Sequence, residues 1–393
     1  MRRTRWRRAV AALTTTAALA ATATACEPPP AFYSPPASLP ARPGDVIATA
    51  PTNFGLTTNI TSTAVKYRST SATGAANYVT GTLLMPNAAW TGGGSRPIVS
   101  YAIGTQGLGD TCAGSKTMTL NLLYEQPNIQ PLLDRGWAVA VTDYEKLGTP
   151  GDHTYVVKNA EAYAVLDIVR AAQRLPGSGV AANAPVAIMG YSQGGQAAAA
   201  AAELEATYAP ELNVRGVAAG GVPSDLAKLG DYLNGSGNLF FSFLAFAAVG
   251  LDSAYSELNL ETYLNQAGTD LMAAGRNSCL IDGLFLGAGK RITDLTHTNP
   301  LASPQWQARL AEQKLGNVGP QVPVYLYHGV LDEIIPYDQG TSLRTAWCGR
   351  GTRVQWADYW LADHILGIFA AGGDVVNWLN ARFTNQAFTP TCN

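Results

Sequence analysis

Short uncharged runs rich in Val, Ile and Ala recur along this chain, and longer stretches of helical period separate them. Ala64–Ser69 and Tyr78–Met85 are rich in Val, Tyr and Thr with turn residues between them, which predicts an early antiparallel pair. Pro97–Ile103, Trp137–Thr142 and Pro185–Met189 are short apolar runs of the kind buried in parallel sheets. Val214–Ala219, Val322–Tyr327 and Val354–Tyr359 continue the series. Thr117–Arg135 reads as helix with a break at Pro127. Val157–Leu175 carries an apolar face of Ala160, Tyr163, Ala164, Leu166, Ile168 and Val169, and Pro176-Gly177 stops it. Gln196–Tyr208 is Ala-rich and helical. Such alternation predicts an α/β domain: a mostly parallel central sheet with helices on both faces.

The stretch 224–315 breaks the alternation. It contains Asn238–Leu251, NLFFSFLAFAAVGL, which is apolar almost all round yet too short for a membrane span. It predicts a helical cap inserted between two parts of the sheet domain, 46–223 and 316–393. An ordinary run of core helices is the competing reading.

The N-terminus is an address. Five arginines precede residue 9, then Ala9–Ala25 is uncharged and ends in Ala23-Thr24-Ala25, an A-x-A cleavage signal. A signal peptide over 1–25 implies export and an oxidising compartment. The run is short and Thr-rich for a transmembrane anchor. The Pro-rich stretch 26–45 reads as a tether. Cys26 sits at the cut, so either simple secretion or a lipoprotein anchored through Cys26 follows. The whole chain of 393 residues has 26 Lys+Arg against 28 Asp+Glu, a net of −2. Loss of five Arg leaves 21 against 28, or −7. An acidic exported protein lacks the basic footprint of a nucleic-acid binder. No H-E-x-x-H, C-x-x-C or EF-hand spacing is present, so no metal and no cofactor is expected.

Gly190-Tyr191-Ser192-Gln193-Gly194 fits G-x-S-x-G, and its context strengthens it: a predicted strand leads in and an Ala-rich helix leads out. Such a nucleophile elbow holds its Ser in a strained turn, where side chains at 190 and 194 would collide with neighbouring backbone. A Ser at its free pKa needs a base. Of the four histidines, His153 precedes the elbow, His297 lies in the predicted cap and His328 sits at a strand. His364 follows the last predicted strand and is the expected base. Asp332, on the loop after Val324–Gly329, is the expected acid; Asp338 and Asp363 compete but suit helix caps or surface. The backbone N–H of Gln193 is one expected oxyanion donor, and the second is expected from Gly104–Asp110.

The combination resembles the secretory lipase family of α/β-hydrolases, the Candida lipase A type. Carrying it are Val99-Ser100-Tyr101, Cys112-Ala113-Gly114-Ser115 and Val141-Thr142-Asp143-Tyr144-Glu145. The helix Glu161–Asp167, the elbow, and Tyr208-Ala209-Pro210-Glu211-Leu212-Asn213 complete the set. The resemblance covers roughly residues 80–365. It implies secreted lipases and esterases of α/β-hydrolase fold with a helical cap, and a triad of Ser192, Asp332 and His364. A gapless match over Ser100–Ser115 places Gln106 where some members carry an acidic oxyanion residue, with Thr105 as the neighbouring alternative. The resemblance also implies disulfides Cys112–Cys279 and Cys348–Cys392, one of three pairings open to these four cysteines.

The expected chemistry is hydrolysis of a carboxylic ester through a Ser192 acyl-enzyme, on an ester or lipid substrate, with the cap as a site of contact with lipid. An acyltransferase of the same fold is one alternative. A surface lipoprotein that binds lipid with a vestigial site is another. Acyl chain length and oligomeric state are not legible in the sequence.

Overall fold

The computed structural model describes residues 28–392 apart from 58 and 236. The expected signal peptide over 1–25 and Cys26 lie outside the described residues. Nine strands form one sheet in the order β1-β2-β3-β5-β4-β6-β7-β8-β9. They are β1 (Val46–Thr52), β2 (Ile60–Thr70), β3 (Ala76–Pro86), β4 (Ile98–Ala102), β5 (Ala138–Thr142), β6 (Val186–Tyr191), β7 (Val214–Gly220), β8 (Val324–Gly329) and β9 (Val354–Tyr359). The first three pair antiparallel, and β3 joins β5 antiparallel. From β5 through β9 every neighbouring pair is parallel. This is the mostly parallel sheet of an α/β-hydrolase.

Strands β4, β5, β6 and β8 are buried along their length because helices cover both faces. Those helices are α1 (Gln126–Asp134), α2 (Lys158–Arg174) and α3 (Gln193–Tyr208). Successive side chains on β4 show the two faces. The Ser100 hydroxyl donates to the Val165 carbonyl on α2 at 2.7 Å. Tyr101 points the other way and reaches Glu125, just before α1, at 3.3 Å. In α3, Ala197–Ala202 are all buried. Small side chains let this helix lie close on the sheet directly behind the elbow.

Between β7 and β8 the described chain is helical. The main helices are α4 (Leu226–Leu233), α5 (Phe241–Ala254), α6 (Gln266–Arg276) and α7 (Pro304–Gln313). They share a second apolar cluster that includes Tyr155, Phe246 and Trp306, separate from the main core on the sheet. After β8 come α8 (Tyr337–Cys348) and α9 (His364–Phe383). No helix among the described residues is long and apolar enough to cross a membrane.

Two local expectations need correction, and one strand was not expected. Pro127 opens α1 rather than breaking it, because a missing N–H costs nothing in the first turn. The Ala-rich helix begins at Gln193, three residues earlier than its composition suggests. Val46–Thr52 forms β1, an edge strand whose alternation is blurred by Ala and Pro51.

Candidate active site

Ser192 is the residue between β6 and α3. Its backbone is at φ 60° and ψ −122°, a conformation an L residue adopts only when its surroundings compel it. The surroundings are glycine contacts. A Cβ at 190 would lie 2.2 Å from the Gly194 carbonyl oxygen, and one at 194 would lie 2.0 Å from that of Ala102. The tight turn lifts the Ser192 side chain to a partly exposed position above the strand ends.

The His364 and Asp332 side chains meet it from two other elements. Asp332 lies just past β8 and His364 opens α9. His364 Nε2 is 2.9 Å from Ser192 Oγ, and His364 Nδ1 is 2.7 Å from Asp332 Oδ2. Asp332 Oδ1 accepts the backbone N–H groups of Ile334 and Ile335 at 3.1 and 2.7 Å. The loops bearing the two residues are stitched together: Leu331 N–H donates to the Ala362 carbonyl at 3.1 Å. Burial alone would raise the Asp332 carboxyl. Its contacts with His364 and then His328 outweigh that and hold it well below the ordinary carboxylate range.

The competing residues lie elsewhere. Asp363 caps α9, accepting the Leu366 N–H at 2.8 Å. Asp338 is exposed in the first turn of α8, and His297 is exposed in the helical insertion. His328 is buried behind the acid, its Nε2 2.9 Å from the Ile335 carbonyl and 3.3 Å from Asp332 Oδ2.

Two residues the sequence reading left unassigned reach the elbow. The Gln193 side-chain amide lies 3.0 Å from His153 Nε2 and donates to Glu161 Oε1 at 2.7 Å. His153 Nδ1 sits 2.9 Å from the Glu145 carbonyl. Burial lowers His153 to about 4, so it is neutral near pH 7. It therefore carries its proton on Nδ1 for Glu145 and accepts from Gln193 on Nε2. Burial pushes Glu161 up to about 8. The pair clamps the side chain whose backbone N–H points out of the first turn of α3, where it has no acceptor within the helix. Chain order excludes His153 as the base, and no spacing signals this second role.

The loop 104–110 abuts the elbow. A Cβ at Gly104 would lie 3.2 Å from the Tyr191 carbonyl oxygen. The Gln106 amide donates back to the Gly104 carbonyl at 3.1 Å, and the Thr105 hydroxyl meets the Tyr155 hydroxyl at 2.7 Å. Both side chains are thus engaged within the protein. The helical insertion holds this loop: Leu280 N–H donates to the Gln106 carbonyl and Leu108 N–H to that of Ser278. The Cys112–Cys279 disulfide fastens the same two segments, and Cys348–Cys392 ties the C-terminal tail to α8.

Above Ser192 opens an apolar cavity of ≈ 630 Å³ including its mouth. Leu226, Leu229, Leu244, Ala247, Trp306 and Ile335 are among its walls. This explains the all-round apolar α5. Phe241, Ala245, Phe246 and Val249 pack inward, and Phe243, Leu244, Ala247 and Ala248 face the cavity.

The family model for secretory lipases matches residues 112–390, most of the chain. The chain belongs to the secretory lipase family. It is 28% identical over 387 residues to a secreted triacylglycerol lipase of Malassezia globosa, covering 92% of this chain and 80% of the relative. Lipase 10 of Candida albicans is 28% identical, with 92% and 82% covered. A probable inactive lipase of Mycobacterium tuberculosis is 26% identical, with 91% and 82% covered. The fold matches lipase A of Candida antarctica in its closed state with a TM-score of 0.82 at 24% identity, covering 93% and 89%. It also matches the cell-wall-degrading esterase LipA of Xanthomonas oryzae at 0.72 and 17%, covering 88% and 100%. Family and fold together make this a hydrolase of the lipase and esterase class.

Proposed function

We propose that this member of the family is an active serine carboxylic-ester hydrolase working through Ser192, Asp332 and His364 and an acyl-enzyme. The observation that carries the reading is the continuous chain from Ser192 Oγ through His364 to Asp332 at 2.9 and 2.7 Å, facing an apolar cavity. His364 takes the Ser192 proton as Oγ attacks the ester carbonyl, then gives it to the leaving alcohol. Water enters, His364 takes its proton, and the acid departs with Ser192 restored. Asp332 fixes the His364 tautomer and stabilises the imidazolium. The Gln193 N–H and a backbone N–H of Thr105 or Gln106 hold the developing oxyanion, since the side chains of that loop are already engaged.

The same reading assigns 224–315 as a cap whose cavity takes the acyl chain. Export after loss of 1–25 belongs to it, with anchoring through Cys26 a separate outcome that mass analysis of the exported N-terminus decides. Lipid meets the cap where Leu239, Ile281 and Phe285 are exposed. Ser192→Ala is expected to lower hydrolysis of p-nitrophenyl butyrate by about 10⁵-fold. A fluorophosphonate should label wild type and leave this variant unlabelled. Full activity in Ser192→Ala removes the mechanism, and wild type that neither labels nor turns over is a vestigial site.

A further inference from the structure

The first turns of α9 are apolar on both faces. His364, Gly367, Ile368 and Ala371 point inward. Ile365, Leu366 and Phe369 point outward and are 55%, 52% and 46% exposed. The turn just before them adds Trp360 at 71% and Leu361 at 88%. Trp360, Leu361, Leu366 and Phe369, with Asp358, Tyr359 and Ala362, line an open surface groove. Leu331, bonded through its backbone to Ala362, extends the patch at 59% exposure. From His364 no charged residue occurs until Asp374. Six large apolar side chains left in water contribute no burial energy to the fold, so such a cluster marks a contact surface.

The chain's own tail does not cover it. Residues 384–392 return to the opposite end of β9, where Thr391 N–H donates to the Val354 carbonyl and Cys392 is bonded to Cys348. The patch sits at the other end of the same strand. It adjoins the site along the chain: Leu331 precedes Asp332, and Leu361 and Ile365 flank Asp363 and His364. The charged residues that flank it along the chain are acidic. They are Asp358, Asp363, Asp374 and Glu333, the last accepting the His364 backbone N–H at 3.2 Å. An acidic border gains nothing from anionic headgroups and is repelled by them. Trp at the tip of an apolar cluster has the shape of an interfacial anchor, with a ring that buries and an N–H that stays wet.

We propose that the Trp360–Phe369 patch docks this protein onto an uncharged or zwitterionic lipid surface, bringing the Ser192 site to the interface on the core side, apart from the helical insertion. The proposal deepens the reading of Ser192 as the nucleophile of an ester hydrolase, because the surface it binds holds the substrate. Binding by itself is independent of turnover.

The test uses the full exported chain carrying Ser192→Ala, so that nothing is hydrolysed. It is mixed with phosphatidylcholine vesicles, with vesicles containing phosphatidylserine, and with a triolein emulsion, then separated by flotation. Binding to phosphatidylcholine and triolein is expected, weaker on phosphatidylserine. The triple change Trp360→Ser, Leu361→Ser and Leu366→Ser is expected to lower binding about tenfold or more. In the Ser192 background the triple variant should keep its hydrolysis of a dissolved short ester and lose about tenfold on emulsified triolein. Undiminished binding, or equal loss on the dissolved and emulsified esters, overturns the proposal. So does sedimentation showing that the patch closes a dimer which the triple variant splits, with no vesicle binding. A wild type that floats with lipid but hydrolyses no ester leaves this proposal standing and removes the catalytic reading.

Discussion

Asp332 is the residue on which the geometry of the site turns. It is buried, accepts two backbone N–H groups and meets two histidines, of which only His364 reaches Ser192. Replacing it by Asn keeps the size but offers His364 Nδ1 an amide in place of a carboxylate. That favours the wrong tautomer and removes the charge that stabilises the imidazolium. Asp332→Asn is expected to lower kcat by about 10⁴-fold with KM little changed, read from steady-state kinetics on a p-nitrophenyl ester. Retention of more than a tenth of the activity would pass the role to another acid. That Ser192, His364 and Asp332 would meet was legible because each is tied to a local pattern: a G-x-S-x-G turn, and two loops after predicted strands. His153 and Glu161 were not. Their roles arise from side chains meeting across the fold, and a neutral buried His or a protonated buried Glu leaves no mark on local composition.

At the scale of elements, α5 and the loop 104–110 are where the helical insertion touches the chemistry. The apolar run Asn238–Leu251 predicted a buried helix but not which face would meet the cavity, because an all-apolar helix has no polar side to fix its orientation. Ala247 lines the cavity, so Ala247→Phe fills part of the space available to an acyl chain. The ratio of palmitate to butyrate hydrolysis is expected to fall about tenfold or more across a p-nitrophenyl ester series, since each excluded methylene is worth roughly 1–3 kcal/mol. An unchanged ratio places the acyl chain elsewhere. The Cys112–Cys279 bridge closes a separation of 167 residues and holds the same insertion to the loop beside the elbow. Cys279→Ser is expected to remove about 5 kcal/mol in the chain-entropy model. It should also lower kcat, whereas Cys348→Ser acts at the far end of β9 and should lower the unfolding temperature alone. Equal kcat in the two variants would detach the bridge from catalysis.

The molecule as a whole hides several carboxyls beneath its acidic surface, and this sets how its stability responds to pH. Glu125, under the Gly104 N–H, and Glu161, under Gln193, are raised by burial from 4.5 to about 8. Between those values the folded chain holds protons that the unfolded chain has released, so stability falls as pH rises. His153 works the other way. Its value drops from 6.5 to about 4, so between them the unfolded chain binds the extra proton and stability rises with pH. Asp332 adds stability that is complete above its ordinary value of 3.8 and is lost as pH falls through its depressed folded value. From pH 4.5 to 6.5 two glutamates oppose one histidine, and from 6.5 to 8 the glutamates act unopposed. Each contributes a slope of about 1.4 kcal/mol per pH unit. The unfolding temperature is therefore expected to decline gently from pH 5 to 6.5 and more steeply from 6.5 to 8. Glu125→Gln keeps the oxygen that accepts from Gly104 and carries no titrating proton, so it should flatten the upper limb by about half. A wild-type unfolding temperature that is flat or rising between pH 6.5 and 8 would show that these carboxyls ionise freely in the folded protein. The loop beside the elbow would then rest on a charged Glu125 instead of a neutral one.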